Sequence, residues 1–386
     1  MTSTTTYALT RRSAVADLKQ DLRELYRDHA TGAVTTRTSM LDGFAHDPEV
    51  NQYIYFDVRS NTVKDKRSPN SNSTLNTLGY SPISLPEYLQ IIERIVTSVK
   101  RGAKKKPFVV SVTGTADEVV KCHGLISDCA HHINHPLLME INLSCPNIPG
   151  KPPPAYSSSS LQEYLTALQR SKVLDTSTST TLIGIKTPPY TYFDQYQNLI
   201  DALLSTTGAD LTCPVDFITA TNTLGGCLVL AESSEVMAPS SEPGSYVPAV
   251  ASASGTGLGG VGGAVIHALA LGNVRTIRSM LDQHPELKHI EIIGVGGVSD
   301  YAGYARFRSI GAAAVGIGTA LGKEGIMVFQ KILNELETLS MFAKLGINEG
   351  RNDTGPTEKQ QKSLDVIEEK QDDVEEYDRA QDSGIE

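Results

Sequence analysis

An α/β fold built as a (β/α)8 barrel, the TIM-barrel architecture, is what this sequence predicts, and three observations predict it. Short apolar, β-branched runs alternate with segments of helical spacing through most of the 386 residues, an order that calls for parallel strands joined by crossover helices. Gly, Asn and Pro follow the ends of these runs, where a barrel of this kind places its active-site loops. The chain is also long enough for one large domain.

Taken in order, the first barrel strand is the atypical element. A strand must precede the helix whose apolar face is Val15, Leu18, Leu22 and Leu25, and only Thr4–Thr10 is available. That run is short and lacks the turn chemistry that ends the other strands, so the first strand is expected to be atypical or missing. The next seven runs are Ala33–Arg37, Phe108–Thr113, Leu137–Leu143, Thr181–Lys186, Val215–Ala220, His289–Val295 and Ala312–Ile317. Between them, Ser84-x-x-Glu87 and Ser160-x-x-Glu163 read as capping boxes opening helices over Tyr88–Val99 and Tyr164–Ser171, because a Ser hydroxyl and a Glu carboxylate three residues apart satisfy orphan N–H groups reciprocally. Asp57–Ser73 and Ala231–Gly255 are polar or Ser/Pro-rich and read as long loops at the barrel's C-terminal face.

Charge divides the chain. The formal net charge is −10, and Gly355–Glu386 holds eleven Asp or Glu against four Lys or Arg. A domain over 1–351 and an acidic, disordered tail over 352–386 are expected, since the tail has too few apolar residues to offset the entropy of ordering. The near-neutral body lacks the Lys/Arg surplus of a nucleic-acid groove. No stretch approaches the ~20 apolar residues of a membrane span. No apolar leader core follows Met1, and five cysteines at irregular spacing form no disulfide framework, so a cytoplasmic, reducing compartment is expected. The cluster Cys122, His123, Cys129, His131, His132 and His135 fits no zinc spacing, and no metal site is expected.

Chemistry concentrates at strand ends. Glu140-Ile-Asn-Leu-Ser-Cys-Pro-Asn-Ile-Pro-Gly-Lys-Pro152 leaves a strand and enters a loop. The carboxamides of Asn142 and Asn147 offer donors and acceptors to a planar amide-bearing ligand, and Cys145 can act as a general base. Gly259–Gly263, in a loop, and the turns Gly294-Val-Gly-Gly297 and Gly316-Ile-Gly-Thr319 come in order at barrel-unit spacing, a pattern that exposes backbone N–H groups to a phosphate. Lys186 stands at a strand end before Thr-Pro-Pro and suits the electron-rich edge of a flavin or a substrate anion. Asn222-Thr223 closes another strand, and Asn76 sits in a loop before a helix. Taken alone, either asparagine serves equally well as a turn cap.

With IKTPPY, TNTLGG, GVGGV and GIGTALGKEG following the Asn-Leu-Ser-Cys-Pro-Asn stretch in this order, the chain resembles dihydroorotate dehydrogenases of the soluble, fumarate-linked class 1A, as a fungal-like member with a divergent N-terminus. The resemblance implies an FMN-dependent homodimer that oxidises dihydroorotate to orotate in pyrimidine biosynthesis and passes the electrons to fumarate. It implies Cys145 as the base, and Asn76, Asn142, Asn147, Asn222 and Thr223 as substrate ligands. Lys186, Gly263, Gly296, Gly297, Gly318 and Thr319 are implied to hold FMN. Arg37 stands where the family commonly has Lys, keeping a catalytic-site charge on a larger, planar group. The family's small first-strand residues, which touch FMN, are not reproduced in Thr4–Arg12. These departures leave two alternatives: a flavin enzyme acting on another cyclic amide or enone, or a catalytically lapsed FMN-binding barrel.

Overall fold

The computed structural model describes residues 4–7, 15–66, 68–99, 105–144, 153–174, 181–208, 211–232 and 246–344. In chain order its elements are β1 (Thr4–Tyr7), α1 (Val15–Arg27), β2 (Ala33–Thr35), β3 (Tyr53–Asp57), β4 (Thr62–Lys64), β5 (Ser73–Asn76), α2 (Leu85–Thr97), β6 (Phe108–Val112), α3 (Ala116–His132) and β7 (Leu137–Asn142). There follow α4 (Ser158–Leu174), β8 (Ile183–Thr187), α5 (Phe193–Leu204), β9 (Phe217–Ala220), β10 (Leu224–Cys227), β11 (Leu230–Glu232), β12 (Tyr246–Pro248) and β13 (Gly259–Gly263). The last are α6 (His267–Leu281), β14 (Glu291–Val295), α7 (Tyr301–Ser309), β15 (Ala314–Ile317), α8 (Thr319–Glu324) and α9 (Met327–Lys344). The chain divides into two compact units, Met1–Ile332 and Leu333–Glu386. Barrel, capping sheet and cavity all belong to the first. The expected tail, 352–386, lies outside the described residues.

Eight parallel strands close a barrel in the order β1-β15-β14-β9-β8-β7-β6-β2. The first strand is therefore present: Thr4–Thr6 register with Val315–Ile317 on one side, and Thr5–Tyr7 with Ala33–Thr35 on the other. Its β-branched threonines suffice for pairing on both edges. The other seven expected runs all become barrel strands. Around them, α2 opens with the expected capping box, Ser84 N–H donating to Glu87 Oε2 at 3.0 Å. The box expected at Ser160 is not one, because α4 begins earlier, at Ser158, and the Ser160 N–H donates instead to Ser157 Oγ at 3.3 Å. A box that sequence reasoning passed over, Thr115 with Glu118, opens α3.

Alternate residues of a strand share a face, and the barrel interior changes character from one end to the other. Val109, Phe217 and Ile293 pack together, with Leu138, Val295 and Ala314 against them. Two residues further along their strands stand Ser111, Glu140 and Thr219, all buried and polar. Another two on, Asn142 and Thr221 have reached the C-terminal mouth. Gly184 keeps this interior open, since a Cβ there would run into the Phe217 ring.

The segments expected as long loops contain strands. Asp57–Ser73 holds most of a hairpin, and β3, β4 and β5 join β10 and β13 in a five-stranded antiparallel sheet, order β10-β13-β5-β3-β4. Tyr53-Ile-Tyr-Phe-Asp57 supplies the alternation, and Phe56, Leu75, Val229, Val250, Val261 and Ile266 give this sheet its own apolar core. Residues 231–232 and 246–248 of Ala231–Gly255 belong to the β11–β12 ribbon, while 233–245 lie outside the described residues. Gly259–Gly263, expected in a loop, is the buried strand β13. Asn76, expected in a loop, is the last residue of β5.

Candidate active site

The barrel's C-terminal mouth and the antiparallel sheet enclose a cavity of about 430 Å³, within the range of cofactor and substrate pockets. From the barrel come Arg37, Asn142, Lys186, Asn222, Thr223, Gly296, Gly297, Gly318 and Thr319; from the sheet come Asn76 and Gly263. The structure thus gathers eleven of the thirteen expected residues around one space. The other two, Cys145 and Asn147, lie outside the described residues, in 145–152.

The carboxamides are fixed by neighbours. Asn142 Nδ2 donates to Thr38 Oγ1 at 2.9 Å, and its Oδ1 accepts from the Ser144 N–H at 3.3 Å and hydroxyl at 3.1 Å. Asn222 Nδ2 lies 3.3 Å from Asn142 Oδ1 and 3.1 Å from Ser144 Oγ, and Asn222 Oδ1 accepts from the Thr223 N–H at 2.9 Å. Asn76 reaches across the sheet, its Nδ2 donating to Gly260 O at 2.9 Å. Arg37, just past the end of β2, donates from Nη2 to Tyr80 O at 3.1 Å. Desolvation lowers its pKa from the ordinary value, opposed by the phenolic oxygen of Tyr88. Burial, and then the Arg37 charge, hold His46 below the usual histidine range, with Asp47 acting in the opposite sense. The mouth therefore carries a fixed cation whose charge is felt by its neighbours.

The opposite wall is built from glycine backbone. Gly297 has φ +69°, and a Cβ on it would stand 2.6 Å from Gly263 O and 3.0 Å from His267 Cβ. Gly263 has φ +88°, with a Cβ position 2.5 Å from Asn72 O. Both conformations and both close approaches require glycine. Gly318 stands at the start of α8 and has no side chain with which to cap its N–H groups. Thr221 Oγ1 is buried without a hydrogen-bond partner among residues lining the same cavity. A bare-backbone wall, an orphaned hydroxyl and a cationic side together fit FMN.

Sequence reasoning missed several lining residues: Thr38, Tyr53, Tyr55, Thr74 and Thr221. The period-2 alternation of YIYFD was the available signal for the two tyrosines. Thr74, whose Oγ1 lies 3.1 Å from Thr319 Oγ1, carried no local signal, because its partner is 245 positions away. The cysteine and histidine cluster falls on α3 and just after it, with Cys122, His123 and His135 buried. Burial pushes the Cys122 thiol up to about 12, helped by the Glu118 charge.

A Lactococcus lactis protein named dihydroorotate dehydrogenase A (fumarate) is 28% identical over 325 residues, covering 83% of this chain and 86% of its own. A Streptococcus equi relative is 31% identical over 271 residues, covering 69% and 72%. Among solved structures, the ligand-free dihydroorotate dehydrogenase of Eimeria tenella aligns over 81% of this chain and 78% of that one, with a TM-score of 0.55 at 17% identity. That likeness speaks for the fold alone. The family model for dihydroorotate dehydrogenase matches residues 65–339, which include ten of the eleven gathered residues, so the chain belongs to the dihydroorotate dehydrogenase family.

Proposed function

We infer that this protein oxidises dihydroorotate to orotate in pyrimidine biosynthesis, using FMN and, as final acceptor, fumarate. The observation that carries this reading is the convergence of cations, carboxamides and a glycine wall on one cavity in a member of this family.

The reaction removes a proton from C5 of dihydroorotate and a hydride from C6. FMN, when bound, supplies the two-electron acceptor. The chain's own residues do the rest. Asn76, Asn142, Asn147, Asn222 and Thr223 bind the substrate's carboxylate and amide edges and fix its plane. Cys145 takes the C5 proton as a thiolate base. Lys186 and Arg37 place positive charge where the substrate anion and the reduced cofactor need it, while Gly263, Gly296, Gly297, Gly318 and Thr319 hold the phosphate and ribityl chain. The reaction is carried by residues 1–351, and deleting 352–386 leaves turnover unchanged.

No helix among the described residues is long and apolar enough to cross a membrane, and Cys122, Cys129, Cys213 and Cys227 are free thiols. Both features support a cytoplasmic enzyme. Leu228, Leu230, Tyr246 and Val247 stand exposed on and beside the β11–β12 ribbon, which supports assembly as a homodimer.

An anaerobic titration of the FMN-loaded protein with dihydroorotate tests the activity. Stoichiometric bleaching of the visible flavin bands is expected. A spectrum that dihydroorotate leaves unchanged refutes it.

A further inference from the structure

Glu140 lies on β7, fully buried inside the barrel, two residues before Asn142 and outside the cavity lining. It spans the lumen: Ser111 Oγ, on β6, donates to its Oε1 at 2.9 Å, and Thr219 Oγ1, on β9, donates to its Oε2 at 2.7 Å. Ser111 Oγ in turn lies 3.0 Å from Thr38 Oγ1, and Thr38 Oγ1 accepts from Asn142 Nδ2. A continuous chain therefore runs from a buried carboxylate to a cavity carboxamide.

A carboxylate only accepts. Ser111 must spend its single proton on Glu140, so its oxygen is left to accept from Thr38. The Thr38 hydroxyl, having donated, accepts from Asn142. That assigns the Asn142 amide nitrogen to the Thr38 side and its oxygen to Ser144 and Asn222. The far end agrees, because the backbone N–H groups of Ser144 and Thr223 can only donate, and they meet Asn142 Oδ1 and Asn222 Oδ1. With its oxygen taken up by Ser144 and Asn222, Asn142 has only its second N–H left for a ligand. It presents a donor to the ligand's acceptor oxygens.

We propose that Glu140 is a positioning residue, whose charge sets the direction of the Glu140–Ser111–Thr38–Asn142 chain and so, together with the backbone N–H groups of Ser144 and Thr223, fixes which face of the substrate-binding carboxamides meets the ligand. This rests on the function proposed above. Glutamine at 140 could turn a donor toward Ser111, so that Ser111 and then Thr38 pass their protons forward and Thr38 meets the Asn142 N–H with a proton instead of a lone pair. Valine at 38 would leave the Asn142 N–H against a methyl group.

The test measures the orotate dissociation constant of FMN-loaded proteins from the perturbation of the flavin spectrum. Glu140→Gln and Thr38→Val are each expected to weaken orotate about tenfold or more, the scale of one misdirected buried hydrogen bond, while Thr38→Ser, which keeps the hydroxyl, stays near the parent. In an Asn142→Ala background, Glu140→Gln should add nothing. Equal losses with and without Asn142, or a Thr38→Ser as weak as Thr38→Val, overturn the proposal. If Glu140→Gln does not fold, Ser111→Ala, which cuts the link between Glu140 and Thr38, takes its place in the cycle with Asn142→Ala. Infrared difference spectra against Ser111→Ala at neutral pH give a readout independent of substrate: perturbation of a buried carboxylate band supports the assignment, and a carboxylic-acid band overturns it. A parent protein that binds FMN but not orotate refutes the functional reading, while the infrared result still decides the state of Glu140.

Discussion

The barrel and the antiparallel sheet that faces its mouth contribute to one cavity but are written differently in the sequence. Barrel strands are continuous buried runs such as Phe108–Val112, every residue of which is buried. Neighbouring parallel strands and outer helices cover both faces, so no polar alternation interrupts the pattern. Sheet strands are less uniform: β4 is largely exposed and β10 is Leu-Gly-Gly-Cys, while β5 is mostly buried and β13 wholly so. The barrel side supplies Asn142 at the end of β7, and Arg37 and Lys186. The sheet supplies Asn76, Gly263 and the tyrosine wall. On the function proposed above, the barrel would carry the chemistry and part of the fit, and the sheet would carry fit alone.

The sharpest way to break that division is to compare one residue from each region. Cys145→Ala should lower kcat by about 10²–10⁴-fold, the span of a lost general base, with FMN still bound. Asn76→Ala should chiefly raise KM, by about tenfold for one lost ligand hydrogen bond. Steady-state kinetics check both, and equal losses of kcat would abolish the distinction.

A smaller expected effect concerns stability. Phe217→Ala, in the barrel interior, should cost about 3–5 kcal/mol, and Leu75→Ala, in the sheet's own core, about 2–5 kcal/mol, in denaturant unfolding. Hydrogen exchange sharpens the comparison. Leu75→Ala should loosen β3, β5 and β13 while leaving the barrel strands protected.

Next comes Gly297→Ala. The side chain would be forced into φ +69° and against Gly263 O, a strain of about 1–3 kcal/mol. FMN affinity, followed by flavin fluorescence, should fall on the order of tenfold while dihydroorotate still bleaches the flavin that remains. Unchanged FMN affinity would remove Gly297 from the cofactor wall.

The smallest effect lies at the barrel's other end. Lys106 precedes β6, and its ammonium contacts Leu25 O at 3.3 Å and also Asp28 O and Thr31 Oγ1. Desolvation depresses its pKa to about 8, against the pull of Asp28. The unfolded chain therefore binds more protons between about pH 8 and pH 10.5, and Lys106 makes stability rise with pH across that window. Denaturant midpoints across this range, compared with those of Lys106→Met, check the sign.

Legibility in the sequence followed the same boundary. The seven barrel runs could be read because each is a self-contained buried strand, and the glycine turns because clustered glycines at strand ends are a local mark. Arg37, Asn142, Lys186 and Asn222 could be read because each ends such a run. Thr38 and Thr221 could not, since a threonine beside a strand end looks the same whether or not it reaches the cavity. Asp57–Ser73 looked like a loop because its polar residues hide the β3–β4 hairpin, whose neighbour β5 pairs in turn with β13, nearly two hundred positions away.

By itself the sequence determined the parallel barrel, the family, and the order in which the chemistry-bearing residues appear, because these depend on local period and local composition. Only the tertiary structure decided that Thr4–Tyr7 closes the barrel, that Asn76 and Gly263 join Asn142 and Gly297 around one cavity, and that Glu140 stands behind Asn142. Those facts depend on pairing between distant segments, and strand register, hydrogen-bond direction and the sharing of a buried charge exist only once the chain has brought them together.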